Sequence, residues 1–353
     1  MFHLVLAACL AAQPGTCDTR LLPADEAASR GDCEARAEAV ARDWLTRHPD
    51  LRAGEGGARC VETAELPALT MQEVAPGVFV HQGAMDQLSP QNRGRIANLS
   101  FVIGDSVAVI DTGETRAEGE ALYAAIRQVT DKPVSHAILT HMHPDHILGA
   151  QVFSEAGAAI VADARLPEAV ARRAEAWMIS VPRQIGAENF AGTRIASVDH
   201  EVAGPETIAL GGRDLRLVPV PPAHTDSDMT VLDLETETLF TGDLAFLGLT
   251  PSLDGSLQGW LDWLDHPPDP LPALVVPGHG PVTEGWDEAV TPTRHYLSAL
   301  RDATRDAIAR GLALSAAIPA IVLAMRPVSE GWADFQAVTA RNAATAFAEL
   351  EWE

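Results

Sequence analysis

The sequence predicts a layered α/β fold, and three observations lead to that prediction. From about residue 66 the chain alternates short apolar runs with turn residues, and a few amphipathic segments separate those runs. The 353 residues are 47% hydrophobic and 21% charged, which is enough apolar material for a full buried core. Strands in two sets with helices between them are typical of sheets buried between helical layers. Periodicity alone does not decide between one sheet and two.

The charge balance of the chain restricts its partners. Asp and Glu number 49 against 25 Lys and Arg, which gives a formal net charge of −24 at pH 7, and Lys132 is the single lysine. Nucleic-acid binding requires basic density at the phosphate backbone, so this balance argues against it. The sequence contains no apolar run of about 18 residues or more, so we expect no membrane-spanning helix. This balance is compatible with a small-molecule substrate.

All four cysteines fall within the first 60 residues, at Cys9, Cys17, Cys33 and Cys60. An even, clustered count predicts at least one disulfide in an N-terminal module, and the sequence leaves all three pairings open. Disulfides persist in oxidising compartments, so we expect a periplasmic or exported protein. Four buried thiols in a cytoplasmic protein are the alternative.

The chain divides into three predicted regions. Residues 1–64 form a small cysteine-containing α/β module, residues 65–290 form the catalytic domain, and residues 291–353 add helices that pack on it. Within the first region we expect strands at 2–10 and 58–62, a helix at 33–47 and a glycine-containing loop at 53–57.

In the main domain each element follows from apolar spacing and turn residues. Gly104 and Asp105 separate two apolar runs and predict a hairpin of strands 99–103 and 107–111. Thr115 with Glu118 three positions later predicts the start of a helix that runs to Val129. The other predicted strands are 78–81, 134–140, 158–162, 215–220, 229–234, 238–241 and 274–276, and the other predicted helices are 148–155, 167–176, most of 287–313 and 338–350.

Four side chains able to bind metal occur within six residues directly after strand 134–140: His141, His143, Asp145 and His146. In extended or turn backbone His141 and His143 project to one side, while Asp145 and His146 can turn toward a neighbouring point. This spacing favours two metal ions over one. A coincidental surface loop is the alternative.

Three further candidate ligands follow other apolar strands, namely His224 after strand 215–220, Asp243 after 238–241 and His279 after 274–276. Loops carried on a rigid sheet edge are where binding groups converge. Imidazole and carboxylate without thiolate suit zinc or non-haem iron. Five histidines and two aspartates supply three ligands for each of two ions, with one aspartate shared. Such a pair of ions makes a shared water acidic enough to act as a nucleophile.

This set of residues resembles the metallo-β-lactamase superfamily over about residues 70–290. The residues that carry the resemblance are the run 141–146, His224, Asp243 and the Pro-Gly-His279-Gly segment. The resemblance implies an αββα sandwich, in which two mixed β-sheets are flanked by helices and the site lies along one edge. The small N-terminal cysteine-containing α/β module would be an addition to that sandwich.

The resemblance also implies roles for individual residues. Asp111 would support the ligand loop, as outer partners of metal ligands do. Asp145 would orient the attacking hydroxide and accept its proton. The implied ligand set is His141, His143 and His224 for the first zinc ion, Asp145, His146 and His279 for the second, and Asp243 as the bridge.

Two features narrow the branch of the superfamily. An aspartate at Asp243 departs from true β-lactamases and points to the thioesterase, lactonase and glyoxalase II-like branches. Residues 92–98, 242–246 and 254–257, with the N-terminal cysteines, resemble zinc metallohydrolases associated with quinoprotein relay systems or sulfur oxidation. That narrower resemblance implies a quinoprotein dehydrogenase as a partner.

Residues outside the ligand set support weaker predictions. Arg93, Arg95 and Asn98 lie on a loop before strand 99–103 and could line the substrate pocket, with an arginine binding a carboxylate. An ordinary surface loop is the alternative. His136 lies within an apolar strand and is predicted to be a core histidine, or one that supports a ligand, rather than a ligand itself.

Three functions remain open from the sequence. The first is a dizinc hydrolase that opens a thioester, lactone, amide or related acyl bond. The second is an iron-dependent dioxygenase acting on a sulfur substrate, because sequence does not distinguish zinc from iron at a histidine-rich site. The third is a docking protein of a periplasmic quinoprotein dehydrogenase. Every candidate ligand position carries a side chain that can bind metal, which favours an enzyme over a docking protein.

Overall fold

The computed structural model describes residues 1–353, apart from the side chain of Asp25. Its strands form sheets of three, seven and six strands. The three-stranded sheet lies in the N-terminal region, and the two larger sheets form a sandwich with helices on both outer faces. The predicted αββα fold with a disulfide-containing N-terminal module is confirmed.

The N-terminal sheet is antiparallel, with β1 (Phe2–Leu10) between β2 (Cys17–Ala27) and β3 (Leu51–Glu62). Helix α1 (Arg30–Arg47) begins at Ser29, whose side chain accepts from the Asp32 N–H, and it buries Trp44 against the sheet. Of the three pairings that the sequence leaves open, the structure has Cys9–Cys17 with Cys33–Cys60. One disulfide joins two strands and the other ties the helix to the sheet.

The prediction of a loop at 53–57 is wrong, because those residues continue β3. The strand pairs with β1 on both sides of the predicted loop, at Ala8↔Ala53 and Leu6↔Ala58. Gly56 and Gly57 take positive φ angles of 99° and 55°, and the extra residues bulge out between those pairs. The glycines therefore mark a bulge and not the end of the strand.

The seven-stranded sheet has the order β10-β9-β8-β7-β6-β5-β4. Neighbours are antiparallel from β4 to β7 and parallel from β7 to β10, and the predicted hairpin is formed by β6 and β7. Its strands are β4 (Gln72–Ala75), β5 (Val78–His81), β6 (Leu99–Ile103), β7 (Val107–Ile110), β8 (Val134–Leu139), β9 (Ala159–Asp163) and β10 (His200–Val202). The helices on this side are α2 (Arg116–Val129), α3 (Pro144–Ile147), α4 (Ala150–Glu155), α5 (Leu166–Ile185) and α6 (Ala187–Phe190).

The six-stranded sheet runs in sequence order and is also mixed, because β14 and β15 are parallel while its other pairs are antiparallel. Its strands are β11 (Glu206–Ala209), β12 (Asp214–Pro219), β13 (Met229–Asp233), β14 (Thr238–Phe246), β15 (Leu274–His279) and β16 (Thr283–Glu284). The helices on this side are α7 (Leu257–Asp265), α8 (Trp286–Ala309), α9 (Leu314–Ala324) and α10 (Phe335–Leu350).

Apolar side chains of the two sheets meet between them. Ile110 and Ile138 of one sheet belong to the same buried cluster as Val231 and Phe240 of the other. Each such side chain contributes about 1.5–3 kcal/mol when fully buried. This core holds the sheets face to face, and it brings the ends of β8, β14 and β15 to one edge.

The ion pair between Arg213 and Asp233 connects the two large sheets. The Arg213 guanidinium donates to both oxygens of Asp233, at 2.9 and 2.7 Å, within the second sheet. It also donates to the carbonyls of Pro76 and Ile103, at 2.9 and 3.2 Å, in the first sheet. Both charged side chains are buried, so the carbonyls satisfy donors that would otherwise lack partners.

The predicted helix at 115–129 is present, but its start uses only half of a capping box. The Thr115 side chain accepts from the Glu118 N–H at 3.2 Å. The Glu118 carboxylate accepts from the Glu114 N–H at 2.9 Å and not from that of Thr115. None of the described helices combines the length and apolar content needed to cross a bilayer.

Candidate metal centre

The seven predicted ligands come together at one edge of the sandwich. The turn after β8, helix α3, the loop after β12, and strands β14 and β15 each contribute. The side chains fall into two groups in which one possible ligand atom of each lies within 4.8 Å of the others: His141, His143, His224 and Asp243 form the first, and Asp145, His146 and His279 form the second.

Asp243 lies between the two groups, with one carboxylate oxygen toward each. Its Oδ2 is 3.4 Å from His224 Nε2 and 3.7 Å from His141 Nε2. Its Oδ1 is 3.2 Å from His146 Nε2 and 3.4 Å from His279 Nε2. This is the arrangement expected of a carboxylate that bridges two cations.

A glycine makes this position of Asp243 accessible. The prediction that Asp243 follows the end of its strand is wrong in detail, because β14 extends to Phe246. Its register with β15 nevertheless shifts on both sides of Gly242, which has a φ of 51°. A Cβ at Gly242 would lie 2.4 Å from Thr140 Oγ1, so only glycine allows this close approach to the ligand loop.

Every histidine of the centre has its second ring nitrogen held by a protein atom. Because a carbonyl can only accept, each ring bonded to a carbonyl carries a proton on Nδ1 and turns its Nε2 toward the cluster, where that nitrogen can bind metal once it is unprotonated. Such partners are the usual companions of metal-binding histidines. The pairs are His141 Nδ1 with Thr140 Oγ1 (3.0 Å), His143 Nε2 with Asp254 Oδ2 (3.2 Å), His146 Nδ1 with Asp111 Oδ2 (2.8 Å), His224 Nδ1 with the Ser252 carbonyl (2.6 Å) and His279 Nδ1 with the Ile96 carbonyl (2.9 Å).

Asp111 lies directly behind the ligand loop. It accepts from the backbone N–H and the hydroxyl of Thr140 and from His146 Nδ1, each at 2.8 Å. Its φ of 58° is left-handed, a conformation that aspartate tolerates better than most residues. The structure therefore places Asp111 where it orients the His146 ring and the turn that carries His141.

The buried carboxylates of the centre attract positive charge. Burial opposes ionisation of Asp243, yet His279 and His146 hold the pKa of its carboxyl well below the usual range. Burial would lower the pKa of His279, but Asp243 and Asp145 raise it to about 10. Burial lowers the pKa of His224 to about 3 even though Asp243 opposes the shift, so this ring is neutral. Protons or metal ions would both satisfy these carboxylates.

Three buried atoms of the centre have no hydrogen-bond partner among the described residues: His141 Nε2, His146 Nε2 and Asp243 Oδ1. Buried polar atoms without partners are costly and rare. All three belong to the side chains that converge between the two groups. The residues therefore fit bound metal, and their nitrogen and oxygen donors suit zinc or iron.

Sequence reasoning missed several supporting groups. The Asp254 carboxylate lies within hydrogen-bond distance of the His143 ring. It also accepts a hydrogen bond from Arg173 Nη2 at 2.9 Å, although Arg173 and Asp254 are 81 residues apart in the sequence. The carbonyls of Ser252 and Ile96 leave no signal in a sequence, because every residue has one. Asp254 lies just before helix α7, but nothing local in the sequence connects it to His143.

The predicted pocket residues have other surroundings. The Asn98 amide donates to the carbonyls of Pro277 and Gly280, both at 2.8 Å, and accepts from the Gly83 N–H at 3.1 Å, so it braces the turn around His279. Arg93 is exposed and lines a different cavity. His136 lies off the centre, with its ring 2.8 Å from Ser135 Oγ.

Cavity size does not mark the centre. A cavity of about 1320 Å³ lies among the C-terminal helices and is lined by residues such as Leu323, Trp332 and Phe335. None of the seven ligand side chains lines it. The centre is recognised instead by the convergence of its donor atoms.

Comparison with known families agrees with this geometry. Residues 93–279, just over half of the chain, match the family model of the Metallo-beta-lactamase superfamily. The chain belongs to the metallo-β-lactamase superfamily. The matched segment begins before β6 and ends at His279, so it contains all seven ligand positions.

Individual relatives of this superfamily member include lactamases and sulfatases. A linear primary-alkylsulfatase from Pseudomonas sp. (strain ATCC 19151) is 37% identical over 49 residues, which is 14% of this chain and 9% of the relative. The metallo-beta-lactamase from Pontibacter korlensis superposes with a TM-score of 0.52 at 20% identity, covering 65% of this chain and 99% of its own. The inverting sec-alkylsulfatase Pisa1 from Pseudomonas sp. superposes with a TM-score of 0.58 at 18% identity, covering 80% of this chain and 50% of its own. At these identities the solved structures show a shared fold alone.

Proposed function

We propose that this chain is a hydrolase that uses two metal ions, with zinc as the metal. The position of Asp243 carries the proposal, because its two oxygens face separate groups of histidines. A site built for a single ion would not need a buried carboxylate shared in this way. The partner held by the second nitrogen of each ring supports the same conclusion.

The ligand assignment follows the two groups. Bound there, two such ions would supply Lewis acidity and a water acidic enough to attack at neutral pH. In this proposal His141, His143 and His224 hold one ion, Asp145, His146 and His279 hold the other, and Asp243 bridges them.

Protein groups around the ligands prepare the site for that chemistry. The Asp145 carboxylate lies 3.3 Å from His279 Nε2 and 3.5 Å from His146 Nε2, and it is the base that would accept the proton of the attacking water. The ring of Phe246 stacks on that of His279, with centroids 5.4 Å apart. Trp260 packs edge-on to His224 at 5.1 Å. These apolar rings keep water from the ligands and strengthen the electrostatic interactions.

The proposed substrate is an acyl compound, namely a thioester, a lactone or an amide. Asp243 supports this class through the resemblance to the thioesterase and lactonase branches. A sulfate ester is the second candidate substrate class. It is favoured by the segment aligned with a linear primary-alkylsulfatase, which is 37% identical over 49 residues.

The compartment and the partner belong to the same proposal. Two disulfides in the N-terminal region are typical of proteins that fold in oxidising compartments, so we propose a periplasmic or exported protein. We keep residues 1–64 as a separate module, 65–290 as the catalytic domain and 291–353 as helices packed on it. The resemblance to quinoprotein-associated metallohydrolases makes a quinoprotein dehydrogenase the proposed partner of the module.

Metal analysis tests this proposal first. Plasma mass spectrometry of natively purified protein should find about two zinc ions per chain. Iron at about one per chain would redirect the search to oxygenation of a sulfur substrate, and little bound metal would favour a docking protein. Thioester, lactone, amide and alkyl-sulfate substrates should then be compared. His141→Ala should abolish turnover, whereas His136→Ala, on the preceding strand and outside the centre, should retain it.

A further inference from the structure

A separate cavity lies where the N-terminal region meets the main sandwich. Its volume is about 350 Å³, which is in the range of small-ligand sites. Strands β2 and β3, the loop before β6 and one face of helix α2 line it. None of the seven metal-centre side chains lines this cavity, which we call the interface cavity.

The interface cavity is basic in a chain that carries a net charge of −24. The acidic residues that line it are Asp18 and Glu120. Four arginines line it: Arg20, Arg59, Arg93 and Arg95. A local excess of guanidinium groups in so acidic a protein favours an anionic ligand.

The acidic residues of the cavity are already paired. Arg20 is buried, and it binds Asp18 and, at 3.5 Å, Glu120. Arg59 and Arg93 form no ion pair or side-chain hydrogen bond with any side chain that the structure describes. Both are exposed enough to reach a ligand at the mouth of the cavity. The exposed guanidinium groups of Arg59 and Arg93 are therefore available to an incoming anion, and the half-buried Arg95, which also lacks such a partner, lines the same cavity.

The rest of the cavity wall is apolar. Val5, Leu21, Leu66, Ala121 and Ala124 line it, and each is at most 5% exposed. An apolar wall gives water few hydrogen-bond partners, so an apolar group displaces water from it favourably. The ligand that matches this cavity has one anionic end and a short apolar body.

We propose that the interface cavity binds a small amphiphilic carboxylate, with its carboxylate at Arg59 and Arg93 and its apolar body on the Leu21 and Leu66 side. The planar guanidinium fork matches a carboxylate in two parallel hydrogen bonds. This site is distinct from the metal centre and does not depend on the proposed hydrolase activity.

Occupancy of the interface cavity connects three parts of the chain. Arg59 belongs to the N-terminal sheet, and Arg93 belongs to the loop that precedes β6. The same loop supplies the Ile96 carbonyl that holds His279. A bound carboxylate therefore joins the N-terminal module to the loop that supports a metal ligand, and it stabilises the folded chain.

Isothermal titration calorimetry on the full, metal-loaded chain tests the proposal, with sodium octanoate and 1-octanol as probes. Octanoate should bind at a single site, and octanol should bind at least about tenfold more weakly, since it lacks the charge-assisted hydrogen bonds. Arg59→Gln and Arg93→Gln should each weaken octanoate binding by about tenfold. Arg42→Gln, an exposed change on α1 outside the cavity, should bind as the wild type does.

Two further measurements distinguish binding in the interface cavity from binding elsewhere on the protein. His141→Ala should retain octanoate binding, and loss of binding in that variant would place octanoate at the metal centre and overturn the proposal. Octyl phosphate binding without octanoate binding would overturn the assignment of a carboxylate. Equal affinities for octanol and octanoate, absence of octanoate binding, or wild-type affinity in folded Arg59→Gln and Arg93→Gln would each overturn the site itself.

Discussion

Replacing Asp111 with asparagine tests how the centre holds its histidines. Asp111 accepts three hydrogen bonds, two from Thr140 and one from His146 Nδ1, each at 2.8 Å. Asparagine has nearly the same shape, and it tolerates the left-handed backbone at this position, where φ is 58°. The substitution therefore turns one of the two acceptor oxygens into an NH₂ donor while the backbone can stay in place.

Either orientation of the new amide conflicts with a donor. If its oxygen keeps the Thr140 N–H, its NH₂ faces His146 Nδ1, and the ring must move its proton to Nε2, the nitrogen beside Asp243. A protonated Nε2 cannot bind metal. We expect metal affinity to fall about 10- to 100-fold, which is about 1.4–2.8 kcal/mol. The reverse orientation leaves the buried Thr140 N–H unsatisfied and should cost about 1–3 kcal/mol of folding stability.

Competition with a chromophoric zinc chelator measures the loss of affinity, and urea unfolding of the metal-free proteins measures the loss of stability. Asp105→Asn is the matched control, because Asp105 is exposed in the turn at the other end of β7. It should keep wild-type values in both assays. If Asp111→Asn binds zinc as tightly as the wild type and is equally stable, the hydrogen bonds of Asp111 do not orient the centre and the reasoning is refuted.

Three other changes test separate contacts. Asp254→Ala removes the carboxylate that lies 3.2 Å from His143 Nε2. Zinc binding should become about tenfold weaker in the same competition assay. Unchanged zinc affinity would show that His143 needs no such partner. Asp233→Ala leaves Arg213 buried without its partner and should lower the free energy of unfolding, measured in urea, by about 3–5 kcal/mol. The double variant Arg213→Met with Asp233→Leu removes both charges and should recover most of that stability. Equal losses of stability in the two variants would contradict the ion-pair argument. Replacing both Cys33 and Cys60 with serine removes a cross-link between residues 27 apart and should lower the free energy of unfolding by about 3.5 kcal/mol in the chain-entropy model. Reduction of the wild-type protein should reproduce part of this loss.

Acid unfolding offers a pH check on the Arg213–Asp233 pair. Burial opposes ionisation of Asp233, but Arg213 and Thr236 hold the pKa of its carboxyl below the usual value. A depressed folded-state pKa contributes stability above the unfolded-state pKa, and that stability is lost as the pH falls toward the folded-state value. The pair should therefore contribute fully at neutral pH and weaken below about pH 4.

The candidate ligands could be found from sequence because their signals are local. Four of the seven lie within six residues, and the other three stand beside apolar strands that periodicity identifies. Elements of two or three residues, such as β10 and β16, could not be found in the same way, because so short a run has no measurable period. Helix α9 is apolar on most sides and contains Pro319, so it lacks the polar face that marks a surface helix.

The sequence by itself determined the α/β class, the seven convergent side chains and the presence of disulfides in the N-terminal region. Each of these depends on residue type and on spacing over a few positions. The tertiary structure decided which cysteines pair, how Asp243 lies between two groups of histidines, and which atoms hold the second nitrogen of each ring. His279 and the Ile96 carbonyl are 183 residues apart, and contacts of that kind exist only after the two sheets have packed. Packing is a property of the whole chain, so short-range patterns do not contain it.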